Sequence, residues 1–140
     1  MSVDYFIDTN IFIYQLEGLD AAKFDIANKL IRDGIATGRA CISFQVVQEC
    51  LNTVLRKAEI PLDTSGTQRY LKMVLTPLFR VPATISLYEQ GLDIQMRYKY
   101  GLYDSLIITA ALNAGCDTLY SEDLQHGQQI DGLVIKNPFC

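Results

Sequence analysis

Four acidic residues stand out by type and position: Asp8, Glu49, Asp104 and Asp123. Asp8 ends the apolar run Tyr5-Phe6-Ile7 and is followed by Thr9 and Asn10, which cap helices well, ahead of Ile11-Phe12-Ile13-Tyr14. A carboxylate there stands where a strand's carboxyl end meets a helix start, and in open α/β sheets ligands bind at that edge. Asp104 lies at i, i+3, i+4 and i+7 with Ile107, Ile108 and Ala111, so it shares a helix face with core residues. Complementing the dipole in a first helical turn is the ordinary alternative for it. Asp123 comes just past the hydrophobic run Thr118-Leu119-Tyr120, much as Asp8 ends the first run, although an acid in a polar loop is commonplace. Glu49 falls opposite the stripe Val47, Cys50, Leu51 and Val54, and that pattern alone makes it solvent-exposed, unless its helix flanks the cleft at the sheet edge. Should the four acids converge, two carboxylates ~5 Å apart repel by about 3 kcal/mol at an effective dielectric near 20. A divalent cation offsets this, and oxygen-only donors without His or Cys favour Mg²⁺ or Mn²⁺ over Zn²⁺. Such ions activate water and stabilise charge on a phosphoryl group, so the chemistry implied is cleavage of a phosphodiester or phosphomonoester.

The elements that must position these acids are read from periodicity. Tyr5-Phe6-Ile7 is apolar on both faces, the mark of a strand buried between helix layers and central in its sheet. A helix is predicted from Leu19 to about Thr37, with Phe24, Ile26, Ala27, Leu30 and Ile31 on its stripe and Gly34 and Gly38 near its end. Arg39 to Ser43 reads as a short strand, and Ser43 as the cap of a helix reaching about Lys57. Glu59 to Gly66 is a loop, and Thr67 to Phe79 resumes helical spacing, with Pro77 leaving its end open. Arg80-Val81-Pro82 is a strand candidate confined by its proline to an edge or a strand end. Helices from Ile85 to Tyr98 and from Leu102 to Ala114 follow, the second closed by Gly115. Asp117 to Tyr120 and Leu133 to Ile135 are strands on either side of a polar loop from Ser121 to Gln129. Short strands alternating with helices predict an α/β fold: a three-layer α/β/α sandwich whose largely parallel sheet has about five strands.

The 140 residues are read as a single domain, residues 1–140, with 49% hydrophobic content sufficient for a core. A net charge of -4 excludes a protein that holds nucleic acid by bulk positive field, so a polyanion must meet a local patch or a metal. Cys41, Cys50, Cys116 and Cys140 show no CxxC spacing and sit in apolar surroundings, which predicts buried thiols in a reducing compartment. Met1-Ser2-Val3-Asp4 has no basic segment followed by an apolar one, and no apolar run approaches the ~18 residues that span a bilayer. A cytoplasmic location with no membrane association is expected.

These residues also carry a family resemblance that runs nearly end to end. The segments Phe6-Ile7-Asp8-Thr9-Asn10, Val47-Gln48-Glu49-Cys50-Leu51-Asn52, Tyr103-Asp104-Ser105-Leu106-Ile107 and Leu119-Tyr120-Ser121-Glu122-Asp123-Leu124 resemble the PIN-domain ribonucleases. Most closely they resemble the VapC-like toxins of bacterial and archaeal toxin–antitoxin pairs, and the closing Ile135-Lys136-Asn137-Pro138-Phe139 fits as well. The resemblance implies that Asp8, Glu49, Asp104 and Asp123 form the family's acidic quartet, binding one or two Mg²⁺ or Mn²⁺ ions. Thr9 and Asn10 would match the polar residues that order the first acid, and Ser121 the polar residue beside the last. Glu122 is a close rival to Asp123, which is preferred because it lies two residues after the serine that ends the strand. An RNA substrate, a cognate antitoxin and homodimerisation are implied in the same way.

Other readings stay open beside it. Phosphatases of the haloacid-dehalogenase type also begin with a strand-end acid but need a second Asp two residues on, where this chain has Asn10. There is no P-loop glycine run and no GxGxxG. His126, the only histidine, reads as a solvated loop residue rather than a base. A catalytically inactive module of the same fold that binds RNA or protein is the non-enzymatic alternative. Arg97-Tyr98-Lys99-Tyr100 alternates cations with aromatics directly before the Asp104 helix, which makes Arg97 and Lys99 candidate RNA contacts; packed tyrosines with solvated cations is the plain alternative.

Overall fold

The computed structural model describes residues 3–140; Met1 and Ser2, part of the argument about the N-terminus, lie outside the described residues. β1 (Tyr5–Ile7) leads through Asp8 into α1 (Thr9–Glu17). Asp8 is itself the extended N-cap, its carboxylate accepting the Thr9 N–H, so Thr9 and Asn10 form the first helical turn instead of preceding it. α2 (Ala21–Thr37) is capped by Asp20 and stops at Gly38, whose φ of 71° is the left-handed conformation that favours glycine. β2 (Ala40–Ser43) passes into α3 (Phe44–Arg56). Ser43 stands at the predicted cap position, yet its hydroxyl makes no capping bond.

The middle of the chain departs from the expected single helix. α4 (Thr64–Tyr70) starts at Asp63, inside the predicted loop, and continues as a π-helical stretch (Leu71–Leu75) into the short α5 (Thr76–Leu78). Pro77 has no N–H to give the carbonyl four residues back, and the turn before it widens; the Thr76 hydroxyl bonds Leu71 O at 2.8 Å across that widened turn. β3 (Phe79–Val81) follows directly, then α6 (Ile85–Tyr98), α7 (Leu102–Asn113) and β4 (Thr118–Tyr120). The chain closes with β5 (Gln129–Ile130) and β6 (Leu133–Lys136).

The sheet has six strands in the order β3-β2-β1-β4-β6-β5, one more than the count of about five read from the sequence. The additional strand is β5, two residues in the stretch read as loop, paired antiparallel to β6. All other pairings are parallel. β1 is internal as predicted, flanked by β2 and β4. Strand order turns back between β1 and β4, so the carboxyl end of β1 lies at a topological switch point, where crossovers to opposite sides leave a crevice. Helices cover both faces of the sheet, completing the α/β/α sandwich. Phe6, Ile7, Phe12, Ile42, Ile107, Ile108 and Leu119 are fully buried between the layers.

α7 is buried from Ser105 through Ala111, which fixes the helix that carries Asp104. Gly91 eases this on the α6 side: a Cβ there would stand 2.6 Å from Leu106 Cδ2, so any larger residue would make the Leu106 side chain shift. Cys41, Cys50 and Cys116 are buried, with the Cys41 and Cys116 sulfurs 3.5 Å apart; Cys140 is exposed, against the expectation of four buried thiols. Among the described residues no helix is long and apolar enough to cross a membrane.

Candidate active site

The β1–α1 junction, α3, the start of α7 and the loop after β4 enclose a cleft of about 300 Å³. Asp8, Glu49, Asp104 and Asp123 all line it, together with Thr9, Asn10, Gln45, Asn52, Thr53, Arg56 and Ile107. Acids separated by up to 115 residues in the chain are thus brought to one place by the parallel crossovers.

Asp8 is the deepest, 7% exposed. One carboxylate oxygen accepts the Thr9 N–H at 2.7 Å and the other the Ser121 hydroxyl at 2.8 Å. Burial nevertheless pushes its carboxyl up to about 7; the two hydrogen bonds oppose the shift and the charges of Glu49 and Asp123 add to it. Asp104 is half-buried at the first turn of α7 and is likewise raised, first by burial and then by Asp123 and Glu49. Even the Cys50 thiol, one residue beyond Glu49, is pushed up by burial and by the charges of Glu49 and Asp8. The cleft is therefore a site of concentrated negative charge.

The supporting residues are wired differently from the sequence expectation. Thr9 orders Asp8 through its backbone N–H, but its hydroxyl donates to Glu49 Oε1 at 2.6 Å. Asn10 Nδ2 donates to Asp123 Oδ2, and it is Ser121, beside the last acid in sequence, whose hydroxyl reaches Asp8. Gln45 Nε2 donates to Tyr103 O at 3.1 Å and lies 3.4 Å from Glu49 Oε2, tying α3 to the start of α7.

Glu49 lines the cleft, half-buried, where the apolar pattern placed it in solvent. The buried face of α3 is Gln45, Val46, Cys50 and Val54, while Val47 and Leu51, counted in the predicted stripe, are half-buried and Leu55 is 75% exposed. The inferred stripe was rotated because α3 packs partly on a polar wall. The missed signal is a second stripe at helical spacing: Gln45, Glu49, Asn52, Thr53 and Arg56 recur at intervals of three and four and all face the cleft.

Glu122 does not enter the cleft. It accepts hydrogen bonds from Tyr14 Oη and from Lys23 Nζ, the latter at 2.7 Å, with Lys23 also 4.6 Å from the centroid of the Tyr14 ring. Its neighbour Asp123 faces the acids, and this latch ties the Asp123 loop to α1 and α2. Arg97 lies in another cleft, with Asp93 at 3.1 Å and Asp131 at 3.0 Å. Lys99 is exposed with a left-handed φ of 64°, its N–H closing α6 on Gln95 O. The structure does not bring either cation to the acidic cleft. His126 is exposed and its Nδ1 accepts the Asn137 N–H at 2.9 Å.

The donor set suits a hard divalent cation: carboxylates only, incompletely neutralised, with the Asp104 carboxylate accepting no hydrogen bond among the described residues. No three His, Cys, Asp or Glu side chains there are set closely enough to form a ready-made metal cage. An ion that keeps several water ligands matches such a site better than one demanding an all-protein shell.

A parallel α/β/α sandwich with an acidic cleft at its switch point defines the general class of protein. The model of the PIN domain matches residues 5–129, and the chain belongs to that family. Solved structures agree in fold. A chain of a toxin–antitoxin complex from Klebsiella pneumoniae superposes with a TM-score of 0.69 at 19% identity, over 96% of this chain and 98% of that one. A chain of DNA-bound VapBC from Salmonella typhimurium gives 0.69 at 16% identity over 99% of each. VapC20 from Mycobacterium tuberculosis, described as a sarcin-ricin loop cleaving toxin, gives 0.62 at 19% identity over 86% of this chain and 90% of its own. No match is found among curated protein sequences.

Proposed function

We propose that this chain is a Mg²⁺- or Mn²⁺-dependent ribonuclease that hydrolyses phosphodiester bonds in RNA, and that it is the toxin of a toxin–antitoxin pair. The observation that carries the reading is the convergence of Asp8, Glu49, Asp104 and Asp123 on one cleft, where burial and mutual repulsion raise Asp8 and Asp104. Carboxylates so placed are destabilised unless a cation joins them. Asp8 and Asp104 would hold the ion, with Glu49 and Asp123 completing or supporting its shell. When bound, it supplies a water of lowered pKa and positive charge beside the phosphoryl oxygens.

The chain's own groups prepare this site. Ser121 and the Thr9 N–H hold Asp8 by one bond to each oxygen, leaving lone pairs on both. Thr9 and Gln45 aim Glu49, and Asn10 aims Asp123. Ile107 gives the cleft an apolar wall that limits water. Arg97 and Lys99 lie outside the lining, so any RNA they touch is a segment beyond the cleft. The antitoxin is supported by similarity to chains solved in toxin–antitoxin complexes, and the RNA substrate by similarity to a toxin described as cleaving the sarcin-ricin loop.

The test is incubation of the purified protein with total RNA in Mg²⁺, in EDTA, and as Asp8→Asn. Cleavage is expected in Mg²⁺ alone. Cleavage surviving both EDTA and the substitution would overturn the reading, and hydrolysis of phosphomonoesters without RNA cleavage would replace it with a phosphatase.

A further inference from the structure

The polar stripe of α3 continues past Glu49 to residues that the acids do not use. Asn52, Thr53 and Arg56 line the same cleft as the four carboxylates. The Thr53 hydroxyl is spent on Glu49 O at 2.8 Å. Asn52 and Arg56 are exposed, and neither side chain has a hydrogen-bond partner among the described residues. Among the described residues Arg56 is the one cation in the lining of this cleft, and it makes no ion pair there despite four acids in the same wall. Arg97, in a different cleft, is held by two carboxylates. A rise of 1.5 Å per residue puts Arg56 about 10 Å along the helix axis from Glu49, two turns further along the same wall.

An exposed guanidinium without an ion pair, one turn from a free carboxamide on the same helix and in the lining of the acidic cleft, offers N–H donors that no acceptor among the described residues takes up. Guanidinium matches a phosphate with a planar fork of N–H groups. We propose that Arg56, with Asn52 beside it, holds a backbone phosphate of the RNA flanking the bond that is cut, so that the strand runs from the acids along α3. The inference rests on the ribonuclease reading and assigns to that site a substrate-positioning group. It also explains how a chain of net charge -4 draws a polyanion toward its carboxylates: the attraction is local, and it sits at one end of the path. Arg56 also lies in the last turn of α3, where a cation complements the helix dipole, so a purely structural role is the competing account.

The experiment measures binding of a short, fluorescently labelled single-stranded RNA of mixed sequence to the Asp8→Asn protein, alone and combined with Arg56→Ala or Arg56→Lys, across a salt titration. With Arg56→Ala, affinity is expected to fall several-fold, and the slope of log affinity against log salt to lessen by roughly 0.7, the amount for one phosphate contact on a single strand. Arg56→Lys should restore the slope while recovering only part of the affinity, since charge is kept and the fork is lost. Mn²⁺ binding measured by calorimetry should be equal in Arg56→Ala and the otherwise native chain. Unchanged affinity and slope in Arg56→Ala would overturn the assignment while leaving the ribonuclease reading intact. A melting temperature lowered without any change in slope would mark a helix-end role and overturn it as well. If the native chain neither cleaves nor binds RNA, the ribonuclease reading fails first and the assignment falls with it.

Discussion

Between α6 and the turn that joins β5 to β6, Asp93 and Asp131 meet Arg97 at 3.1 and 3.0 Å, so both of these acids share a cation supplied by the same molecule. In the cleft at the end of β1, Asp8, Glu49 and Asp123 are held by neutral donors, namely a backbone N–H, two hydroxyls and carboxamides. Hydrogen bonds from neutral groups fix a carboxylate's orientation without cancelling its charge. In the first arrangement the paired acids already share a cation of the chain; in the second the acids are oriented but no cation among the described residues is bonded to them, which is the condition of a site built around an external cation. Burial separates them too, since Asp8 is almost wholly enclosed whereas Asp93 and Asp131 are exposed.

Replacing acid by amide in each cleft sharpens the contrast. Asp104→Asn should abolish RNA cleavage while leaving the melting temperature equal or higher, because it removes a like charge that burial, Asp123 and Glu49 already disfavour. Cleavage assays paired with thermal melts check this; retained cleavage would mean that Asp104 is only a helix-start acid.

Next in size is the dependence of stability on pH and metal. The folded chain holds the Asp8 proton up to about 7 whereas an unperturbed aspartate releases it near 3.8, so folding binds a proton across that window. Stability contributed by the protonated group is full below about 3.8 and is lost as pH rises through about 7. Metal-free protein should therefore melt at lower temperature at pH 8 than at pH 5, and Asp8→Asn should flatten that slope. Saturating Mn²⁺ at pH 8 should raise the melting temperature on the order of 5–10 °C. A metal-independent melting curve would indicate that the cleft tolerates its charge unaided.

Asp93→Asn is expected to have the smallest effect. It breaks one exposed i, i+4 pair that solvent screens, so thermal melts should shift by ~2 °C or less with cleavage unchanged. A large loss of activity would show that the two clefts are coupled, which the comparison denies.

Much of the fold was legible because its elements carry local signals. The apolar run of β1, the helices α2 and α6, and the breaks at Gly38 and Gly115 all reappear, although Ile26 of the α2 stripe is exposed. What local pattern misread has particular causes. β5 is two residues long and exists only because β6 lies beside it, so no periodicity announces it. The π-helical widening before Pro77 depends on how that segment is held against its neighbours.

Within the site, sequence by itself determined which residues carry charge and that Asp8 and Asp123 follow strands, since strand ends and acids are both written locally. Tertiary structure decided that the polar stripe carrying Glu49 faces the cleft, because the buried side of α3 is set by what packs against it and not by its own most apolar stripe. It also decided that Ser121 serves Asp8 while Asn10 serves Asp123, and that Glu122 turns away to Lys23 and Tyr14. The physical reason is the same in each case: a hydrogen bond or an ion pair between residues about a hundred positions apart is fixed by the order of strands in the sheet, and periodicity along the chain carries no record of that order.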